Sequence, residues 1–211
     1  TNGSCNGSSS WSGKFPFMFQ CEGEWAAGDF DGGNYCDSGC GITSAAMTVS
    51  AITGQLVKPT DLTQKRSCDT TQDSSCLLRW AEDYGFEGVS VTRELNLGTG
   101  SSDDQIVQGI NKYLKDGYII IIAGRRASGR YSEELRNPFS DSGHYVVFYG
   151  IDGDGKWLIA DPAGPGRSWS AKCTGIGECE PNNNAMEPYS LIPDGIQRGD
   201  GTGTTIYAFR K

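Results

Sequence analysis

The chain has one histidine in 211 residues, His144, so a metal centre built from several imidazoles is excluded. Its eight cysteines, at 5, 21, 36, 40, 68, 76, 173 and 179, include no Cys-x-x-Cys pair, the spacing on which structural zinc sites usually rest. Positive charge is scarce as well. Eighteen Lys and Arg stand against 26 Asp and Glu, giving a net charge of −8. A surface that neutralises phosphates is therefore not expected, which removes nucleic acid as a partner class and disfavours anionic membranes. No apolar run approaches the roughly 18–20 residues that span a bilayer. The opening "TNGSCNGSSS" contains no charged-then-apolar leader, as expected of a mature secreted chain or an excised piece.

Cysteine itself is abundant, and eight in a chain of this size favour extracellular disulfides and a secreted or cell-surface location. Glycine, at 30 residues, has about twice its average share and implies many tight turns. With 36% hydrophobic content the chain can bury one sizeable core. The organisation expected is a flexible polar arm at 1–14 followed by a single domain over 15–211, with a long Gly/Pro/Asn-rich loop at 162–203. Asn2 and Asn6 match the glycosylation acceptor pattern. The chain is expected to act as a monomer.

Apolar residues Ile42, Ala45, Ala46, Val49 and Ile52 recur at helical spacing and predict a helix over 40–53, with Asp37 or Ser38 as its cap and Gly54 as its stop. A second helix is expected over 75–84, closed by Gly85. A third begins at Ser102, which forms a capping box with Gln105, and stops at Gly117. After it the period changes. "YIIIIA" at 118–123 reads as a buried strand, "HYVVFYGI" at 144–151 as another, and "DGDG" as the turn to a return strand at 156–161. A last strand is expected over 204–210. Helices first and an antiparallel sheet afterwards predict an α+β fold, with the N-terminal helix packed on the sheet.

The stretch "YCDSGCGITS" at 35–44 poses the chemical question, since Cys36 and Cys40 could be a disulfide, a metal pair, or a nucleophile and its neighbour. Cys40 stands where a helix begins, and the unpaired N–H groups there favour a thiolate. A thiol nucleophile also needs a base, and a third group to orient that base. His144 is the one imidazole. Asp161 ends the return strand, and in a hairpin the start of one strand lies beside the end of its partner. Cys40, His144 and Asp161 can therefore meet.

Two segments, "DSGCGITSAAMTVSAITGQLVKPTDL" and "GHYVVFYGIDGDGKWLIADP", resemble the papain-like cysteine peptidases of the bacteriocin-leader-processing (double-glycine) type and their secreted bacterial relatives. The first is similar to the family's Cys-Gly helix start and the short helix behind a Pro. The second is similar to its Gly-His start, apolar strand, Asp-Gly turn and closing Asp-Pro. Ile42 stands where the family usually has Pro. The resemblance implies a papain-like fold and a Cys-His-Asp triad, and it places Gln20, in "FPFMFQCEGEWA", as the oxyanion donor.

The function expected is hydrolysis of peptide bonds, in peptidoglycan peptides ahead of proteins, with no cofactor and no metal. The alternative is a disulfide-stapled binding module with an inactive papain-like site. "DFDGGN" and "DGDG" are read as turns rather than calcium loops, since neither continues to a suitably placed Glu. Setting Cys40 aside leaves seven cysteines. The pairs expected are Cys68–Cys76, Cys173–Cys179 and Cys5–Cys21 with Cys36 left over, and a Cys36–Cys40 lock is the rival.

Overall fold

The structure, a computed structural model, describes residues 15–65, 75–97, 101–124, 143–163, 185, 186, 188 and 205–211. A small hairpin of β1 (Asp29–Phe30) and β2 (Gly33–Asn34) leads into α1 (Tyr35–Ser38) and the long α2 (Cys40–Thr53). Then come α3 (Pro59–Lys65), α4 (Ser75–Asp83), β3 (Glu87–Ser90), α5 (Val91–Glu94) and α6 (Asp103–Lys115). The strands β4 (Ile119–Gly124), β5 (His144–Ile151), β6 (Trp157–Ala160), β7 (Ala185–Met186) and β8 (Thr205–Arg210) follow. Among the described residues β3–β8 form one antiparallel six-stranded sheet in the order β3-β8-β4-β5-β6-β7. The α+β class expected from the sequence is the one adopted.

Strand alternation explains why the 118–123 run is apolar without a break. Ile119 and Ile121 face one core with Val147, Tyr149 and Phe209, while Ile120 and Ile122 face a second with Val146, Phe148 and Ile206. Both faces of the central strand are covered, so neither parity can be polar. The first core is closed by α2 and α4, through Ile42, Ala45, Ala46, Val49, Leu77 and Trp80. The second is closed by α6, through Ile106, Val107, Ile110 and Leu114. Each of the Val, Leu and Ile side chains among them contributes about 1.5–3 kcal/mol.

Helix α2 is buried on all sides from Gly41 to Ala51, not along a single face. Its polar residues are small enough to fit, and several turn inward for partners. The Thr48 hydroxyl donates to the Ser44 carbonyl at 2.9 Å. The Ser50 hydroxyl donates to Val57 O at 3.1 Å and accepts from Val57 N–H at 2.9 Å, folding the following loop back onto the helix. Gly54, at φ 72°, ends the helix in the left-handed region. The Ser102–Gln105 capping box of α6 is present as read from the sequence.

Four elements shift by about a residue, β4 among them, which occupies Ile119–Gly124 instead of 118–123. The second helix stops at Asp83, the return strand β6 occupies only Trp157–Ala160, and β8 starts at Thr205. The N-cap expectation for α2 needs correction: Asp37 and Ser38 belong to α1, and the cap position is Gly39, with no side-chain cap bond. The Asp37 carboxylate instead accepts from the Asn34 amide at 2.8 Å. Both stretches read as turns are turns: β1 and β2 are joined through Asp31 (φ 52°) and Gly32 (φ 76°), and Asp152 accepts the Asp154 and Lys156 N–H groups at 2.9 Å. The 1–14 arm with Asn2 and Asn6, most of the 162–203 loop, Cys5, Cys68 and the Cys173–Cys179 pair lie outside the described residues.

Candidate active site

The β5–β6 hairpin brings His144 and Asp161 together. Val147 pairs with Ala160, and one further step of that register sets Asp161 beside Val146, on the side of the strand that His144 shares by alternation. His144 Nε2 lies 2.5 Å from Asp161 Oδ1, and both residues are buried, at 5% and 4% exposure. Asp161 Oδ1 also accepts the Ala163 N–H at 2.7 Å. Gly143, at φ 96°, turns the chain into β5 immediately before the histidine.

Cys40 reaches this pair from the first core, as the first residue of α2, half-buried and free of any disulfide. Its thiol is hydrogen-bonded to His144 and to the backbone of Tyr145. With Nε2 on the carboxylate, Nδ1 is the ring nitrogen left for sulfur. Burial opposes a charged thiol, yet the His144 bond and charge and the Tyr145 N–H outweigh it, even against the opposing Asp161 charge. The Cys40 pKa therefore lies below the ordinary thiol value. For His144 burial again opposes charge, but the Asp161 carboxylate, by charge and hydrogen bond, and Cys40 raise its pKa to about 9. The lowered thiol pKa and the raised imidazole pKa both favour a thiolate–imidazolium pair, an arrangement that sets a nucleophile beside a proton donor.

Gln20 arrives along the extended segment before it. Phe15 stacks on Tyr149 of β5 at 4.3 Å, and Gln20 N–H donates to the Pro162 carbonyl at 2.8 Å, so the glutamine is tied to the residue after Asp161. Its side chain is buried, with Nε2 donating to the Cys36 carbonyl. A primary amide carries two N–H groups, and this bond uses one. Cys36 and Gln20 are further joined through the neighbouring residue, since Cys21 and Cys36 form a disulfide. That overturns two sequence expectations, the Cys5–Cys21 pair and an unpaired Cys36, and also removes the Cys36–Cys40 lock. The cause is tertiary: the Gln20 amide and the Cys36 N–H bond to Ala26 O, at 3.1 Å, draw the two loops together. Cys76 is also disulfide-bonded.

Two contributors escaped the sequence reading. The Tyr145 main chain acts on the thiol through an N–H that every residue but proline carries, so no side-chain signal marks it. Gly39 had a signal in its position before Cys40. A Cβ there would lie 2.2 Å from the Tyr35 carbonyl oxygen, so only glycine lets α1 and α2 join at this angle. Because Gly39 offers no capping side chain, the first N–H groups of α2, including that of Cys40, keep no side-chain acceptor at the cap.

Residues 13–186 match the Peptidase_C39 like family. No curated protein sequence matches the chain.

Proposed function

Because the chain belongs to the Peptidase_C39 like family, with its papain-like fold, we propose that it is a secreted cysteine peptidase working through Cys40, His144 and Asp161. The observation that carries the reading is the continuous thiol–imidazole–carboxylate chain, with its buried 2.5 Å link between His144 and Asp161. The Cys40 thiolate attacks the carbonyl carbon of a peptide bond, and His144 gives its proton to the leaving amine, forming a thioester. Water, deprotonated by His144, then releases the acid. Asp161 holds Nε2 and stabilises the imidazolium in both steps. The Cys40 N–H and the second N–H of the Gln20 amide receive the oxyanion. The free state of Cys40 favours this reading over a binding module whose nucleophile is oxidised.

The substrate proposed is a slender extended peptide, with peptidoglycan stem and bridge peptides ahead of unfolded proteins. Purified peptidoglycan and a denatured protein, each incubated with the wild type and with Cys40→Ala, test both parts. New free amino groups and mass-identified cleavage products are expected from the wild type, and under a few per cent of that from the variant. Activity that survives in a folded Cys40→Ala protein would overturn the mechanism. Cleavage of proteins alone would overturn only the ranking of substrates.

A further inference from the structure

The segment that delivers Gln20 also walls a cavity of about 380 Å³, within the size range of ligand pockets. Phe17, Phe19 and Trp25 line it, and Glu22, Glu24 and Lys58 contribute its charged groups. The Trp25 indole N–H is already satisfied by the Phe19 carbonyl at 3.0 Å, so the ring offers apolar surface only. Gly23, at φ 80°, keeps that ring in place: a Cβ there would meet its six-membered part at 2.9–3.1 Å.

The charge at this cavity is not balanced. Lys58 Nζ is paired with Glu24, and the Lys58 N–H is held by Asp61 at 2.8 Å. The exposed Glu22 carboxylate has no hydrogen bond or ion pair among the described residues. From 21 to 39 the chain carries five acidic residues and no Lys or Arg. The largely buried rings leave an apolar lining for an aliphatic stem, and an unpaired carboxylate attracts a cation by charge. The complementary occupant is a side chain with an apolar stem and a cationic head.

Its distance from the chemistry follows from α2. Its far wall adjoins Val57, which is pinned to Ser50, ten residues along the helix from Cys40, a separation on the order of 15 Å, while its near wall, Phe19 and Glu22, flanks Gln20. An extended peptide covers that separation in about four or five residues. We propose that this cavity is a specificity subsite for a lysine or arginine side chain of the substrate, within about four residues of the cleaved bond. The proposal rests on the peptidase reading above for its place in catalysis, but the cavity's preference can be measured without turnover.

Matched decapeptides with lysine or norleucine moved along the sequence test it. At one position, within about four residues of the scissile bond, lysine should raise kcat/KM about five- to tenfold over norleucine through KM, and Glu22→Lys should abolish that difference. Wild-type hydrolysis with no positional preference, or a preference unchanged in Glu22→Lys, would overturn the subsite while leaving the peptidase assignment standing. The same peptides are titrated by calorimetry into Cys40→Ala, which does not consume them. Tighter binding of the lysine peptide supports the subsite even if no peptide is cleaved by the wild type, a result that would defeat the peptidase reading alone. Equal binding of the two peptides overturns the subsite.

Discussion

Replacing Asp161 with Asn keeps the shape of the site and an oxygen for His144 Nε2 but removes the charge. His144 titrates at about 9, against an ordinary 6.5, a difference of about 2.5 that corresponds to about 3 kcal/mol favouring the imidazolium. The Asp161 charge is the largest contribution in that direction and works against burial, which by itself lowers the pKa. Without the carboxylate the histidine should therefore fall by two or more pH units and be mostly neutral at pH 7.5. The sign is fixed: the wild-type pair exists from the lowered Cys40 pKa up to about 9, and the variant loses the pair from the alkaline side. At pH 7.5 a fall to about 7 leaves only about a quarter of the imidazole protonated, and a larger fall leaves less, so kcat/KM should drop at least roughly fourfold. Two readouts check this, the pH profile of kcat/KM and the pH profile of Cys40 alkylation by iodoacetamide. In the wild type, alkylation should already be fast at neutral pH. In the variant it should rise only as the thiol itself ionises. An Asp161→Asn protein that keeps fast alkylation at neutral pH and an alkaline limb near 9 would refute the reasoning.

Gln20→Ala should lower kcat about 100-fold with little change in KM, the usual loss for one oxyanion donor, measured by steady-state kinetics on a peptide substrate; a change confined to KM would make Gln20 a binding residue. Joint replacement of Cys21 and Cys36 by Ser opens a bridge between residues 15 apart, worth about 3 kcal/mol by chain entropy. Calorimetry should show a lower Tm while Cys40 still alkylates fast at neutral pH, and an unchanged Tm would show that the bridge does not constrain the fold.

What the sequence made legible was local. Helix α6 carries its capping box and its glycine stop within one stretch, and the β5–β6 hairpin carries its turn in four residues, so counting back from the turn paired His144 with Asp161. The proposed nucleophile could be read because Cys40 opens a periodic apolar segment. The cap failed because α1 is four residues long, too short to show a period, and it claims Asp37 and Ser38 for itself. Non-local facts were closed to reading. Strand β8 inserts between β3 and β4 from the far end of the chain, and the Cys21–Cys36 pairing depends on a fold that carries Gln20 to Cys36. The cavity was hidden for another reason: Phe17, Phe19 and Trp25 are buried residues that sequence cannot tell from ordinary core.

Gly39 also limits what can be done to this protein by mutation. Helix starts are ordinarily among the easiest places to add stability, because Ser, Thr, Asp or Asn at the cap adds about 1 kcal/mol over alanine. Each of those residues brings a Cβ, and at this position the Cβ would fall 2.2 Å from the Tyr35 carbonyl oxygen. Neither selection for robustness nor deliberate thermostabilisation can take that route without parting α1 from α2. The same clash keeps out a capping carboxylate that would compete with the Cys40 sulfur for the helix end. Variation in relatives or in a mutant library should therefore accumulate elsewhere on α2 and leave position 39 empty of side chain.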